Sequence, residues 1–193
     1  MFRLPFLVAL ALITAFGLGI GSAVAVLDAS SGFGAIRIGP WTAFPVAQSK
    51  SADPYAKSHR ARAGRLLFGS AEGLMFQAAE DSDGNPLTPA CTYLLSGQTP
   101  PARFWTLYAA DADSEPLVAG PELPSAFHAW NVLRGADGAF SVRISASAQP
   151  GNWLAVASGR PYRLVLSLMD TPTASSSGLL DVAMPDLRRV SCP

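Results

Sequence analysis

"QPGNWLAVASGRPYRLVLSLMD", residues 149–170, is the stretch on which the fold class turns. In its second half Tyr162, Leu164, Leu166 and Leu168 alternate with Arg163, Val165, Ser167 and Met169. Side chains of a strand point to opposite faces in turn, so this period of two predicts a strand with one buried face. Just ahead, Gly151-Asn152-Trp153-Leu154 reads as a turn. Asn tolerates unusual backbone angles there, so Asn152 is expected to aim the Trp153 ring inward.

The same signal recurs upstream. Phe140, Val142 and Ile144 alternate with Ser141, Arg143 and Ser145, and "GLMFQAAE", "CTYLLSG", "PPARFWTLYAAD" and "AFHAWNVL" are short apolar runs cut by "DSDGNP" and "RGADG". Short strands punctuated by Gly, Pro, Asp and Asn predict a mainly β fold, an antiparallel β-sandwich or jelly-roll-like domain rather than a parallel α/β sheet. One short helix is expected ahead of them, with Asp53 as N-cap and Pro54 at the first helical position, running to about residue 67. "TPTASSSG", residues 171–178, reads as a loop before the tail "LLDVAMPDLRRVSC".

From Leu4 to Leu27 the chain carries no charge, with Arg3 before it and Asp28 after. At 1.5 Å per residue about 20 apolar residues cross the roughly 30 Å hydrocarbon layer, so residues 4–27 are long enough to span a bilayer. Arg3 predicts an N-terminus retained in the cytoplasm and a C-terminal domain exported to the periplasm. Ala23-Val24-Ala25 has the small-x-small form of a cleavage site, so secretion after cleavage near Ala25 stands as the alternative to an uncleaved inner-membrane anchor. The expected organisation is a transmembrane anchor or signal segment at 1–27, a linker and extended lead-in at 28–52, and the β-sandwich domain at 53–193. Gly17 and Gly21 form a G-x-x-x-G pair, a ridge through which a homodimer of membrane helices can form, although Gly is also common in such helices for no special reason.

The formal charge is zero, with 14 basic and 14 acidic residues, so no global field recruits nucleic acid. Two cysteines, Cys91 and Cys192, in an exported domain are expected to pair and to tie down the tail. No H-x-x-x-H, H-x-H, C-x-x-C or G-x-S-x-G occurs, so no metal, cofactor or nucleophile site is predicted. Asp81, Asp83 and Asn85 lack the distal Glu of a calcium loop and read as a turn. His59 is expected at a helix edge and His128 between aromatics. Lys57, Arg60, Arg62 and Arg65 spread around their helix as a solvated surface. Of the tryptophans, Trp105 and Trp153 read first as core. Trp105, Trp153 and Trp130 are also the candidate ligand-facing aromatics, because a binding platform needs an exposed ring beside polar groups.

In order along the chain, "DSDGNPLTPACTYLLSGQTPPARFWTLYAAD", "DGAFSVRISASAQPGNWLA" and "RPYRLVLSLMD" resemble the bacterial domain of unknown function 1214, over about residues 54–193. The features held in common are a D-G turn before a strand, a P-P-x-x-F/Y-W-T/S strand, a D-G-S/A-F hairpin and G/A-N-W-L before a last apolar strand. The resemblance implies a β-sandwich or jelly-roll-like domain of the cell envelope, often accompanied by domain of unknown function 1254 in the same chain or in a neighbouring protein. It implies no established activity. Ala155 stands where the pattern tends to Pro, and Ser167-Leu168-Met169 where it tends to Arg-Leu-Tyr. Three functions follow as expectations: binding of a partner protein, with the companion domain as the candidate, without catalysis; a glycan or small-ligand-binding module, which needs an exposed Trp; and an envelope hydrolase, which needs a histidine beside a carboxylate.

Overall fold

The computed structural model describes residues 3–29, 35–45, 52–63, 72–112, 114–174 and 182–192. The chain falls into two compact units, Met1–Phe33 with Ser51–Arg65, and Gly34–Lys50 with Leu66–Pro193.

The first unit contains α1 (Arg3–Ala29) and α2 (Pro54–Ala63). Residues Arg3–Leu27 of α1 are long and apolar enough to cross a membrane. Its two hydroxyl side chains are satisfied internally: Thr14 Oγ1 donates to the Leu10 carbonyl at 2.8 Å and Ser22 Oγ to the Gly19 carbonyl at 3.0 Å. A lipid-facing helix needs that economy, because hydrocarbon offers no partners. Gly17 and Gly21 lie on this exposed helix, where an added Cβ would meet nothing within 4 Å. In α2 the Asp53 carboxylate accepts the Tyr55 and Ala56 amides at 2.8 and 3.0 Å, and Pro54 opens the helix without needing a donor. The expected helix end near residue 67 and the side chains of His59, Arg60, Arg62 and Arg65 lie outside the described residues.

The second unit is two packed sheets. In chain order its strands are β1 (Ile36–Ile38), β2 (Trp41–Ala43), β3 (Gly73–Ala78), β4 (Thr92–Gly97), β5 (Phe104–Ala110), β6 (Ala126–His128), β7 (Phe140–Ser145), β8 (Trp153–Ala155), β9 (Arg163–Met169) and β10 (Asp186–Ser191). A six-stranded sheet runs β1-β2-β3-β9-β5-β6 and a four-stranded sheet runs β10-β4-β7-β8. Phe76, Trp105, Leu107, Leu164, Leu166 and Leu168 from the first sheet meet Tyr93, Leu95, Val142, Ile144, Leu154 and Leu187 from the second in one apolar core. The mainly β, two-sheet architecture read from the alternating runs is the one observed, and it is not a closed barrel.

Four differences have physical reasons. First, the 28–52 lead-in is not all linker. β1 and β2 form a hairpin that extends the six-stranded sheet through Ala43 opposite Phe76, and Trp41 is wholly buried. Its indole N–H donates to the Pro185 carbonyl at 2.8 Å, satisfying the polar atom of an otherwise apolar plug. Second, α2 groups with α1 rather than with the β-sandwich. Third, the smaller sheet is mixed, since β8 runs parallel to β7 after a return along residues 146–152. Gly151, at φ +79, turns that return, and Ala155 N–H donates to the Pro124 carbonyl at 2.9 Å, a bond that Pro at this position would remove. Fourth, β9 is buried on both faces, because it is central: Val165 stands between Gln77 and Tyr108, and Ser167 between Met75 and Thr106.

The "DSDGNP" segment is a tight turn. The Asp81 carboxylate, buried, accepts the amides of Asp83 and Asn85 at 3.1 and 2.8 Å, and Gly84 takes φ +83. It also meets Arg189 Nη2 at 3.2 Å. The turn closes a short antiparallel hairpin, Glu80 opposite Pro86 with Leu87 N–H donating to the Ala79 carbonyl at 2.9 Å, before the chain crosses to the other sheet at β4.

Candidate functional site

β5 sets out the candidate site by alternation. Trp105 and Leu107 face the core, so Phe104 and Thr106 face outward, and His128 on edge strand β6 lies opposite Thr106. The ladder continues one step further through Ala129 N–H to the Trp105 carbonyl at 3.1 Å. The chain then turns tightly: Asn131 N–H donates to the His128 carbonyl at 3.2 Å, and Asn131 Oδ1 accepts the His128 amide at 2.7 Å. The Trp130 amide donates to His128 Nδ1 at 3.2 Å, which requires that nitrogen to be the unprotonated one. Val132 plugs back into the core.

This turn holds Trp130 outward at 81% exposure, with Leu133 close by in sequence at 69%. Trp130 packs against Phe104 with ring centroids 4.9 Å apart, and His128 lies 5.6 Å from Phe104 and 6.2 Å edge-on from Trp130. The result is a three-ring cluster at the surface.

The Gly-Asn-Trp-Leu turn fixes this loop in place. Asn152 is buried and does not take a positive φ; its role is to clip three segments together. Its Oδ1 accepts the Leu133 amide at 2.8 Å, and its Nδ2 donates to the carbonyls of Leu133 and Ser141 at 2.8 and 2.9 Å. Nothing in the sequence announced that pairing, although a buried Asn next to Trp in a turn is the residue type that bridges backbone groups.

The three candidate aromatics are therefore placed differently. Trp105 is core, stacked on Phe140 at 5.2 Å, with the Arg134 guanidinium carbon 5.6 Å over its ring. Trp153 is half-buried and donates its indole N–H to the Ser145 carbonyl at 2.9 Å. Only Trp130 of the three presents its ring to solvent. The Trp130 amide and two aromatic rings are the described partners of the His128 side chain, with no carboxylate among them; the His59 side chain lies outside the described residues. Among the described residues no three of His, Cys, Asp and Glu gather. Cys91 and Cys192 are joined as a disulfide, with Cα atoms 4.2 Å apart.

Comparison with known proteins fits this picture. The family model "Protein of unknown function (DUF1214)" matches residues 72–173. The VPA0106 protein of Vibrio parahaemolyticus has a similar fold, at TM-score 0.58 and 17% identity over 73% of this chain and 36% of that one. An uncharacterised protein of Burkholderia cenocepacia aligns at TM-score 0.46 and 16% identity, over 61% of this chain and 29% of that one. The chain thus spans about a third of the length of these solved proteins. No functionally curated protein matches it. With the matched residues running from the turn before β3 to the segment after β9, this chain belongs to the DUF1214 family.

Proposed function

We propose that this protein is a membrane-tethered domain of the bacterial cell envelope that binds a partner protein, without catalysis, through the face built on Trp130. α1 serves as the inner-membrane anchor, and the β-sandwich works in the periplasm, where an oxidising milieu maintains the Cys91–Cys192 bond. Cleavage near Ala25 would free the same domain into the periplasm without changing its binding face.

One observation carries the reading. Trp130 is 81% exposed on a turn whose backbone is held by Ala129, Asn131 and Asn152. Trp is, with Tyr and Arg, among the residues enriched at binding hot spots, and a fixed loop has little ordering cost left to meet on association. The partner we favour is a companion of the domain of unknown function 1254 type. In VPA0106 the similar fold occupies only part of a longer chain, so there it works beside further polypeptide.

The test uses the full-length protein in lipid nanodiscs and a companion protein from the same genome, with affinity read by interferometry. Trp130→Ala is expected to weaken binding by about 30-fold or more, the loss typical of a central anchor, while Val190→Ala on β10 leaves it unchanged. Equal affinity of Trp130→Ala and wild type would overturn the reading. A second reading, a glycan-binding module, draws on the same exposed ring. It predicts that oligosaccharides quench Trp130 fluorescence in the absence of any protein partner.

A further inference from the structure

A pocket of about 450 Å³ opens beside the start of β9, and shares no residue with the Trp130 face. Its walls are apolar, supplied by Pro86, Leu87, Leu117 and Tyr162. Its charged groups are Arg160, Arg163 and Asp111. A volume of this size falls in the range of small-molecule sites, which combine apolar walls with a few placed polar groups.

The charged groups are not equivalent. Arg163 Nη1 donates to Gln77 Oε1 at 3.1 Å, and Gln77 Nε2 in turn donates to Ser114 Oγ at 3.0 Å. One end of the guanidinium is thereby braced, which leaves a planar fork with further donors. The Asp111 carboxylate accepts the Glu115 amide at 2.9 Å, so it is engaged in shaping its own loop. Arg160, exposed at the start of the segment leading into β9, adds a second positive charge. Two guanidinium groups against one carboxylate leave the lining with a net positive charge, which favours an anion.

Tyr162 adds a further feature. Its hydroxyl is buried and has no hydrogen-bond partner among the described residues. Burial, with Tyr93 as a lesser contributor, pushes the phenol well above its ordinary range, so it remains a neutral donor. Buried polar groups are nearly always satisfied, but this hydroxyl is closed off behind the pocket wall, so Tyr162 offers a ligand its apolar ring and not its O–H.

We infer that this pocket binds a small amphiphilic anion, a monocarboxylate with a compact apolar body, its head held by Arg160 and Arg163 and its body against Pro86, Leu87, Leu117 and Tyr162. The inference is independent of the partner-binding face.

The probe is 3-phenylpropionate, titrated by calorimetry into the full-length protein in nanodiscs, with its uncharged amide as control and empty nanodiscs as blank. Saturable binding is expected, weakened by about tenfold or more in Arg160→Gln, in Arg163→Gln and for the amide, as loss of a charge-assisted contact predicts. Arg160 is exposed, so its substitution leaves the fold intact and keeps the test decisive if Arg163→Gln misfolds. Tyr162→Phe, which keeps the ring and removes only the unpartnered hydroxyl, is expected to bind the probe as wild type does while the ligand-free protein melts no lower. Absence of saturable binding at millimolar probe, equal affinity for the amide, or unchanged affinity in Arg160→Gln would each overturn the inference.

Discussion

β9 and β10 lie in different sheets and stay in place by opposite means. β9 is central to its sheet, paired with β3 and β5 along its length, and every residue between its ends is buried. β10 is an edge strand that buries Leu187 alone between its ends. Its attachment is otherwise polar and covalent: Ser82 N–H donates to the Leu187 carbonyl at 2.8 Å, Leu187 N–H to Ser82 Oγ at 3.0 Å, Arg189 meets Asp81, and Cys192 is bonded to Cys91. Apolar burial scales with area, so β9 holds through its own side chains. β10 cannot do so, and the molecule supplies clips where area is lacking.

The largest expected effect is on β9. Leu166 is fully buried between Phe76 and Leu107 in register, and Leu166→Ala should cost about 3–5 kcal/mol, the transfer loss plus the cavity. Urea unfolding followed by tryptophan fluorescence would show the midpoint falling with an unchanged slope. A loss under about 1 kcal/mol would mean that the β9 core collapses around the gap, and would break the contrast with β10.

That difference also decides what was legible in the sequence. β7 announced itself because its buried residues recur at period two, as Phe140, Val142 and Ile144 do, and β9 because Leu164, Leu166 and Leu168 recur at that period in the sequence, although its middle is buried on both faces. β10 gave no such signal: with one buried residue among charged neighbours, "DLRRVS" reads as a tail. β1 and β2 were legible only as an extended lead-in and not as a hairpin, since Trp41 finds its partner in Pro185, 144 residues away. The aromatics were legible as a group but not one by one. Phe104 and Trp105 are adjacent and alternation sends them to opposite faces, yet the exposure of Trp130 depends on the Asn152 clip from a distant turn. The orphaned hydroxyl of Tyr162 is a property of packing alone.

The second effect in size concerns the covalent clip. The disulfide spans 101 residues, and removing it as Cys91→Ala/Cys192→Ala should cost about 2–4 kcal/mol. The expected signature is local before it is global. Amide hydrogen exchange should quicken first in β10 and in its partner β4, while β9 amides still exchange only with global unfolding. Equal loss of protection in β9 and β10 would show that the clip constrains the whole unfolded chain and nothing local.

The smallest effect is electrostatic and sharpens the contrast at one atom. Asp186 opens β10, and the hydrogen bond from Ser82 Oγ, aided by Arg188, holds its carboxyl below the ordinary carboxylate range. A carboxyl whose folded pKa lies below its unfolded one stabilises the fold at pH above the unfolded value, and that stabilisation is lost as pH falls through the folded value. Since the Asp186 side chain is 37% exposed, solvent screens the contribution and the change in midpoint should be slight. The carbon resonance of the Asp186 carboxyl, titrated by NMR, should report a pKa below that of a free Asp in wild type, moving upward in Ser82→Ala. β10 amides next to it should lose protection over the same acid range while β9 amides do not respond. A titration unmoved by Ser82→Ala would assign the depression to Arg188 instead, leaving the Ser82 clip as a purely backbone contact to Leu187.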